Sequence, residues 1–300
     1  MANDRAAIRG VIPAVMTPLK EDGTVDMVAL EKQMGYLSDA EVDGFFIGGT
    51  TAEGAYLTEE ERKEALRLAK VTTQGKQTLY VVILRPHTEQ VIAELKAVAS
   101  LEPAYVAAVT PYYYGVSQET ILDHYTRIAD ASDVPIMLYN IPQNTHNPIS
   151  LETVLRLAEH PNIVGIKDSS GNFISFSRGI VSGVGDEFAW IQGEDLLDAP
   201  SLLYGSPGLV TGLGNVWINP YVEMFRAARA DDKEGVQEQQ RKINALARII
   251  GEAGGAVIPA IKMAAAILGR GSSRMRVPGD TLPEELRPRI KAVLEKVGLV

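Results

Sequence analysis

A lysine that closes a short apolar run is the residue around which chemistry can be built in this chain. The stretch is Asn162-Ile163-Val164-Gly165-Ile166-Lys167-Asp168-Ser169-Ser170-Gly171-Asn172. Positions 163–166 show no polar alternation, as in a strand covered on both faces. Lys167 then emerges at the carboxyl end of that strand with its stem in apolar surroundings. An ammonium held there releases its proton more readily, and the neutral amine can attack a carbonyl. Tyr139 closes another apolar run, and strands that neighbour each other lie about 4.8 Å apart. A phenol beside an amine is suited to moving protons while a carbinolamine loses water to become an imine. Gly49-Thr50-Thr51 offers backbone N–H groups and two hydroxyls, a small nest for a carboxylate. Each feature also has an ordinary structural reading. Lys167 could open a surface loop, Gly48-Gly49 could be a turn, Tyr112 to Tyr114 could pack a core or an interface, and Pro142 could stop a strand.

What joins these residues is the rhythm of the elements that must hold them. Strand-like runs fall at 11–18, 44–49, 79–84, 105–109, 135–139, 163–166, 188–191 and 209–211. Helical patterns fall at 27–38, from Thr58 with a capping box to Glu61, from Thr88, and at 118–131, 151–159, about 195–203 and 220–230. Short apolar strands alternating with amphipathic helices predict parallel strands. Eight such units predict an α/β chain closed into a (β/α)8 TIM barrel, with a doubly wound open sheet as the alternative. Segments 233–251, 257–268 and 283–297 read as three additional C-terminal helices. The whole is read as a single domain, a barrel over 10–231 and a helical extension over 232–300. Barrel active sites lie at the carboxyl ends of the strands. The motifs Gly49-Thr50-Thr51, Pro111-Tyr112-Tyr113, Tyr139-Asn140 and Lys167 fall at four such ends.

Composition narrows the function classes. The 300 residues are 46% hydrophobic, enough for a large core, and the absence of cysteine rules out disulfides, thiolate metal sites and a cysteine nucleophile. A net charge of −9 argues against general nucleic-acid binding. It does not argue against a small anionic substrate. Residues 1–10 carry no signal-like apolar core, and the most apolar late stretch, 256–268, is broken by Pro259 and Lys262 and is too short to span a bilayer. The expectation is a cytoplasmic protein with no membrane partner. His87, His124, His146 and His160 show no paired metal-ligand spacing, so no metal is expected and a metal-dependent hydrolase is disfavoured.

The motifs GGTTAEG, TPYYYG, YNIP and VGIKDSSGN, in this order, resemble the dihydrodipicolinate synthase / N-acetylneuraminate lyase family of Schiff-base-forming pyruvate aldolases. The resemblance covers about residues 10–268. It implies a barrel with C-terminal helices, a homotetramer, and an imine to pyruvate or to the pyruvate part of a 2-oxo acid, with no metal or organic cofactor. By the same resemblance Lys167 is the imine-forming lysine and Tyr139 the proton-relaying tyrosine that also contacts the carboxylate. Thr50 and Thr51, beside Gly49, bind that carboxylate, and Thr50 is also the hydroxyl of the relay. Tyr113 is the tyrosine given to a neighbouring subunit. Val210 is the position whose backbone carbonyl faces the pyruvate moiety.

Three departures bear on the substrate. Family synthases carry an arginine where this chain has Asn144, and asparagine cannot make the bidentate charged contact to a second carboxylate. The acidic residue by which sialic-acid lyases grip the glycerol tail is replaced by Leu196, with Asp195 beside it. Arg85, in Leu84-Arg85-Pro86-His87, replaces a glycine-rich turn; it is either a loop charge or a substitute for the charge missing at Asn144. The reading is therefore an aldolase or lyase joining pyruvate to an aldehyde, or cleaving a 2-oxo acid such as a 2-keto-3-deoxy sugar acid. Ser169 and Asp195 are candidates for binding its hydroxyls. 4-Hydroxy-tetrahydrodipicolinate synthesis from aspartate semialdehyde is the first alternative. A non-catalytic 2-oxo acid binder is the alternative of another class.

Overall fold

A computed structural model describes residues 8–184 and 188–300. The first seven residues, part of the N-terminal stretch considered above for a signal segment, lie outside the described residues. The strands are β1 (Gly10–Pro13), β2 (Gly44–Ile47), β3 (Thr78–Ile83), β4 (Tyr105–Val109), β5 (Ile136–Asn140), β6 (Ile163–Asp168), β7 (Ala189–Gln192) and β8 (Gly208–Thr211). They form one eight-stranded sheet in the order β1-β8-β7-β6-β5-β4-β3-β2. A parallel bridge between Ala14 and Phe46 joins the chain just beyond β1 to β2. The fold is a (β/α)8 barrel with C-terminal helices. Its strands are buried along almost their whole length. That is why they read as continuous apolar runs: a parallel strand has side chains packed on both faces.

The chain divides into two compact units, Met1–Val11 with Ile83–Val210 and Ile12–Val82 with Thr211–Val300. In the first, β4, β5, β6 and β7 pair in parallel, with Tyr139 opposite Lys167 and Asn140 opposite Asp168. In the second, Gly44 to Ile47 pair with Thr78 to Val81. The helix Glu59–Thr73 opens with the expected capping box, Thr58 and Glu61 satisfying each other's backbone N–H groups.

Most strand and helix runs read from sequence match the observed elements to within a few residues, with these exceptions. β1 ends at Pro13, five residues short of the run read over 11–18. The run 283–297 is the 3₁₀ turn Glu284–Leu286 followed by the helix Arg287–Lys296. β6 extends two residues further, so Lys167 lies inside the strand rather than beyond its end. A helix, Phe173–Ile180, follows β6 where no element was read from the sequence; Asn172 caps it by accepting from Ser175 N at 3.1 Å. The run 233–251 is two helices, Lys233–Leu246 and Arg248–Glu252, divided at Ala247. Among the described residues no single helix is long and apolar enough to cross a membrane.

In the first unit, buried His124 lies between the Val109 carbonyl (Nε2, 3.1 Å) and the Thr88 hydroxyl (Nδ1, 2.9 Å). A neutral ring that donates from Nε2 and accepts at Nδ1 satisfies both partners. Burial pushes its pKa down to about 4. Between that value and about 6.5 the unfolded chain binds the extra proton, so the contribution of His124 is complete above pH 6.5 and declines as pH falls towards 4. The shift corresponds to on the order of 3 kcal/mol. Urea unfolding of wild type and His124→Asn across pH 7 to 4.5 should show a slope shallower by about one proton in the variant. Equal slopes would contradict this.

Candidate active site

Lys167 and Tyr139 meet because β5 and β6 are hydrogen-bonded neighbours that hold these two positions in register. Both side chains are buried, Lys167 being 5% exposed. The Lys167 Nζ lies over the Tyr139 ring, 4.1 Å from its centroid. The amine is thereby buried against an aromatic face instead of reaching water along a flexible stem, as surface lysines do.

The chain around the pair is fixed by polar bonds that the sequence did not announce. The buried Asp168 carboxylate accepts from Ser170 N at 2.8 Å and from Asn140 Nδ2 at 3.2 Å. Burial raises its pKa, and the hydrogen bonds from Ser170 and Asn140 oppose the rise. Asn140 Oδ1 accepts from Ile149 N at 3.1 Å, so the asparagine of YNIP ties the end of β5 to the chain that follows. Ser169 donates from Oγ to the Gly193 carbonyl at 3.0 Å, and its carbonyl accepts from Gln143 Nε2 at 2.9 Å. The Ser169 proton is thus engaged in the fold, while its oxygen keeps acceptor capacity.

Gly193 was absent from the sequence candidates. A Cβ there would stand 2.3 Å from Ser169 Oγ and 2.9 Å from Lys167 Cε. A methyl there would force the Ser169 hydroxyl and the lysine stem to shift. Gly193→Ala is expected to lower kcat/KM about 100-fold, since a displacement of about 1 Å at a reacting group has that scale. Steady-state kinetics on the folded variant would check it, and an unchanged value would show that the stem has room to move.

Gly49, Thr50 and Thr51 belong to the other unit. Thr50–Ala52 forms a 3₁₀ turn in which the Gly49 carbonyl accepts from both Ala52 N (3.1 Å) and Gly54 N (3.0 Å). The turn is tight enough that a Cβ on Gly54 would stand 1.8 Å from the Gly48 carbonyl oxygen. Arg62, buried in the helix Glu59–Thr73, donates to the carbonyls of Gly48 (3.1 Å), Val82 (3.0 Å) and Gly54 (3.0 Å). A fork of donors with fixed geometry suits three separate carbonyls. Glu53, also buried, is paired with Lys262 of the helix Val257–Ile267. Arg62 and Lys262 were not candidates from sequence, although a lysine inside an otherwise apolar helix was visible at Lys262.

Other candidates are distributed as follows. Val210 lies in β8 and is buried. Tyr113 is 81% exposed at a strained φ of 81° and stands edge-on to Tyr114, their ring centroids 4.8 Å apart. Its loop is pinned by buried Asn147, which donates to the carbonyls of Pro111 and Tyr114 at 2.8 Å each and accepts from Val116 N at 2.9 Å. Asn144 is exposed in the short helix Pro142–Thr145. Arg85 is ion-paired through Nε with buried Glu94, a partner that sequence spacing did not suggest. Asp195 opens the 3₁₀ turn Asp195–Leu197, beside Glu194 and the fully buried Asp198. Burial, with the neighbouring charges of Asp195 and Glu194, holds the Asp198 carboxyl well above the usual carboxylate range.

The sequence profile of the dihydrodipicolinate synthetase family matches residues 7–297. The chain belongs to that family. Its relatives include the 4-hydroxy-tetrahydrodipicolinate synthase of Methanospirillum hungatei, 30% identical over 289 residues that span 96% of this chain and 98% of the other. That of Archaeoglobus fulgidus is 32% identical over 291 residues, 97% and 99% of the two chains. Among solved structures, the chloride-inhibited dihydrodipicolinate synthase of Acinetobacter baumannii, complexed with pyruvate, superposes with a TM-score of 0.92 at 29% identity over 98% of this chain and all of that one. The E. coli K12 prophage protein YagE, also in complex with pyruvate, superposes with a TM-score of 0.92 at 25% identity, again over 98% of this chain and all of its own.

Proposed function

We propose that this member of the family is a lyase, a class I aldolase that forms an imine with pyruvate and joins it to an aldehyde, or runs that reaction in reverse on a 2-oxo acid. The observation that carries the reading is the buried Lys167 Nζ held 4.1 Å from the centre of the Tyr139 ring. The unprotonated amine attacks C2 of the 2-oxo acid. The departing hydroxyl of the carbinolamine takes a proton, for which the Tyr139 phenol is the donor. The resulting iminium withdraws electrons from C3, the Tyr139 phenolate left by that step takes a C3 proton, and the enamine adds to the aldehyde carbonyl. Hydrolysis of the product imine frees Lys167. In this scheme Gly49, Thr50 and Thr51 receive the substrate carboxylate, Thr50 joins the proton relay, and the Val210 carbonyl faces the pyruvate moiety.

Ser169 and Asp195 are assigned to hydroxyls of the second substrate, which suits a 2-keto-3-deoxy sugar acid. Arg85 and Asn144 are assigned to its distal end. The Glu94 pairing uses Arg85 Nε and leaves the outer guanidinium nitrogens for that role. Aspartate semialdehyde remains a second reading because the relatives named above are 4-hydroxy-tetrahydrodipicolinate synthases. The assembly is taken as a homotetramer, and exposed Tyr113, held at positive φ by a pinned loop, fits a phenol that serves a neighbouring subunit. The enzyme is assigned to the cytoplasm.

Borohydride reduction in the presence of pyruvate, read by intact mass and peptide mapping, tests the imine. A permanent adduct on Lys167 is expected. Its absence from folded protein would favour a 2-oxo acid binder without catalysis. With the adduct in hand, turnover of aspartate semialdehyde against sugar-derived aldehydes separates the two substrate readings.

A further inference from the structure

Glu53 stands at the joint between the 3₁₀ turns Thr50–Ala52 and Gly54–Tyr56. Its backbone is left-handed, φ 56° and ψ 36°, an uncommon conformation for a residue that carries a Cβ. Its N–H donates to the Thr50 carbonyl at 2.9 Å and its carbonyl accepts from Tyr56 N at 2.8 Å, so its twist sets the course of the turn.

The constraint comes from the C-terminal extension. Lys262, fully buried, donates from Nζ to Glu53 Oε1 and to the Arg274 carbonyl, the latter at 2.9 Å. The other carboxylate oxygen, Oε2, accepts from Arg276 N at 2.8 Å. Arg276 is anchored in turn, Nη2 to Glu61 Oε1 at 2.8 Å and Nη1 to the Gly23 carbonyl at 3.0 Å. Both oxygens of one buried carboxylate are thus held by a segment more than two hundred residues away in sequence. A buried ion pair is a poor way to gain stability, because apolar replacements of both partners are often as stable or more so. Its distinctive property is geometric: two charged groups with no solvent to turn to accept one arrangement.

We infer that Glu53 and Lys262 are positioning residues that hold the Gly49-Thr50-Thr51 turn in the shape that receives the substrate carboxylate, so that the C-terminal extension sets affinity for the 2-oxo acid. This rests on the carboxylate role given to Thr50 and Thr51 under Proposed function. Neither residue takes part in the bond-making steps. Releasing the pair lets Glu53 leave its left-handed conformation and the turn lose its tight form. The consequence is weaker ground-state binding of pyruvate with the Lys167 chemistry retained.

The test uses the full chain as Glu53→Gln and as the double variant Glu53→Gln/Lys262→Met. The double variant removes both charges together and leaves no unpaired ion. Borohydride trapping on Lys167 is measured against pyruvate concentration, alongside the melting temperature. The expected result is a half-saturating pyruvate concentration raised about tenfold or more in both variants, with complete adduct formation at saturation. If the folded variants trap with half-saturation within about twofold of wild type, the pair is only structural, whatever the melting temperature does, and the inference is overturned. Loss of adduct in wild type as well would instead overturn the imine reading and this inference with it. Adduct in wild type with unshifted variants overturns the inference alone.

Discussion

Replacing Lys167 with alanine is expected to lower turnover on the order of 10⁵-fold or more and to abolish the pyruvate adduct under borohydride. The scale is that of deleting a covalent nucleophile while binding groups remain. No proton shuttle or carboxylate nest can replace the amine, because the electron sink for C3 exists only once nitrogen is bonded to C2. The change truncates one buried side chain on β6 and leaves the strand's backbone pairing to β5 and β7 in place. The fold should therefore survive, as circular dichroism and thermal melting would show. Residual activity within tenfold of wild type, in a folded variant, would remove Lys167 from the mechanism.

Tyr139→Phe isolates the second role. The substitution keeps the ring under the Lys167 Nζ and deletes only the hydroxyl. A loss of 10²–10⁴-fold in kcat is expected, the usual range for removing a general acid–base group. If the tyrosine served only as an aromatic surface for the amine, phenylalanine would cost less than tenfold, since the attraction of a ring for a cation does not need the hydroxyl. Single-turnover rates of imine formation would localise the defect: a hydroxyl that assists loss of water from the carbinolamine slows that step before the carbon–carbon step is reached.

The sequence by itself determined the barrel and that Tyr139 and Lys167 end neighbouring strands. Strands buried on both faces must be apolar throughout, so β2, β4 and β5 stand out as unbroken runs, and the capping box at Thr58 and Glu61 marks a helix start through local bonding alone. Lys167 stood out as a candidate because a charge closing such a run is costly to bury. Local signals failed where stability comes from distant partners. The helix Phe173–Ile180 follows a serine- and glycine-rich stretch and is held by Phe176 packing edge-on to Trp190 of β7, with ring centroids 6.2 Å apart. The break at Ala247 has no proline or glycine at that position to announce it.

Tertiary structure alone decided the partners of the candidate residues. A Cβ at Gly193 would crowd the Lys167 stem, Arg85 is engaged by Glu94, and Asn147 pins the Tyr113 loop. Arg62 and Lys262 became visible as supports of the Gly49-Thr50-Thr51 turn only through their bonds to it and to Glu53. Periodicity and capping act within a few residues of chain, and they specify which elements form. A buried polar bond is fixed by which elements the fold brings together, and its partners carry no mark of each other until the chain has closed on itself.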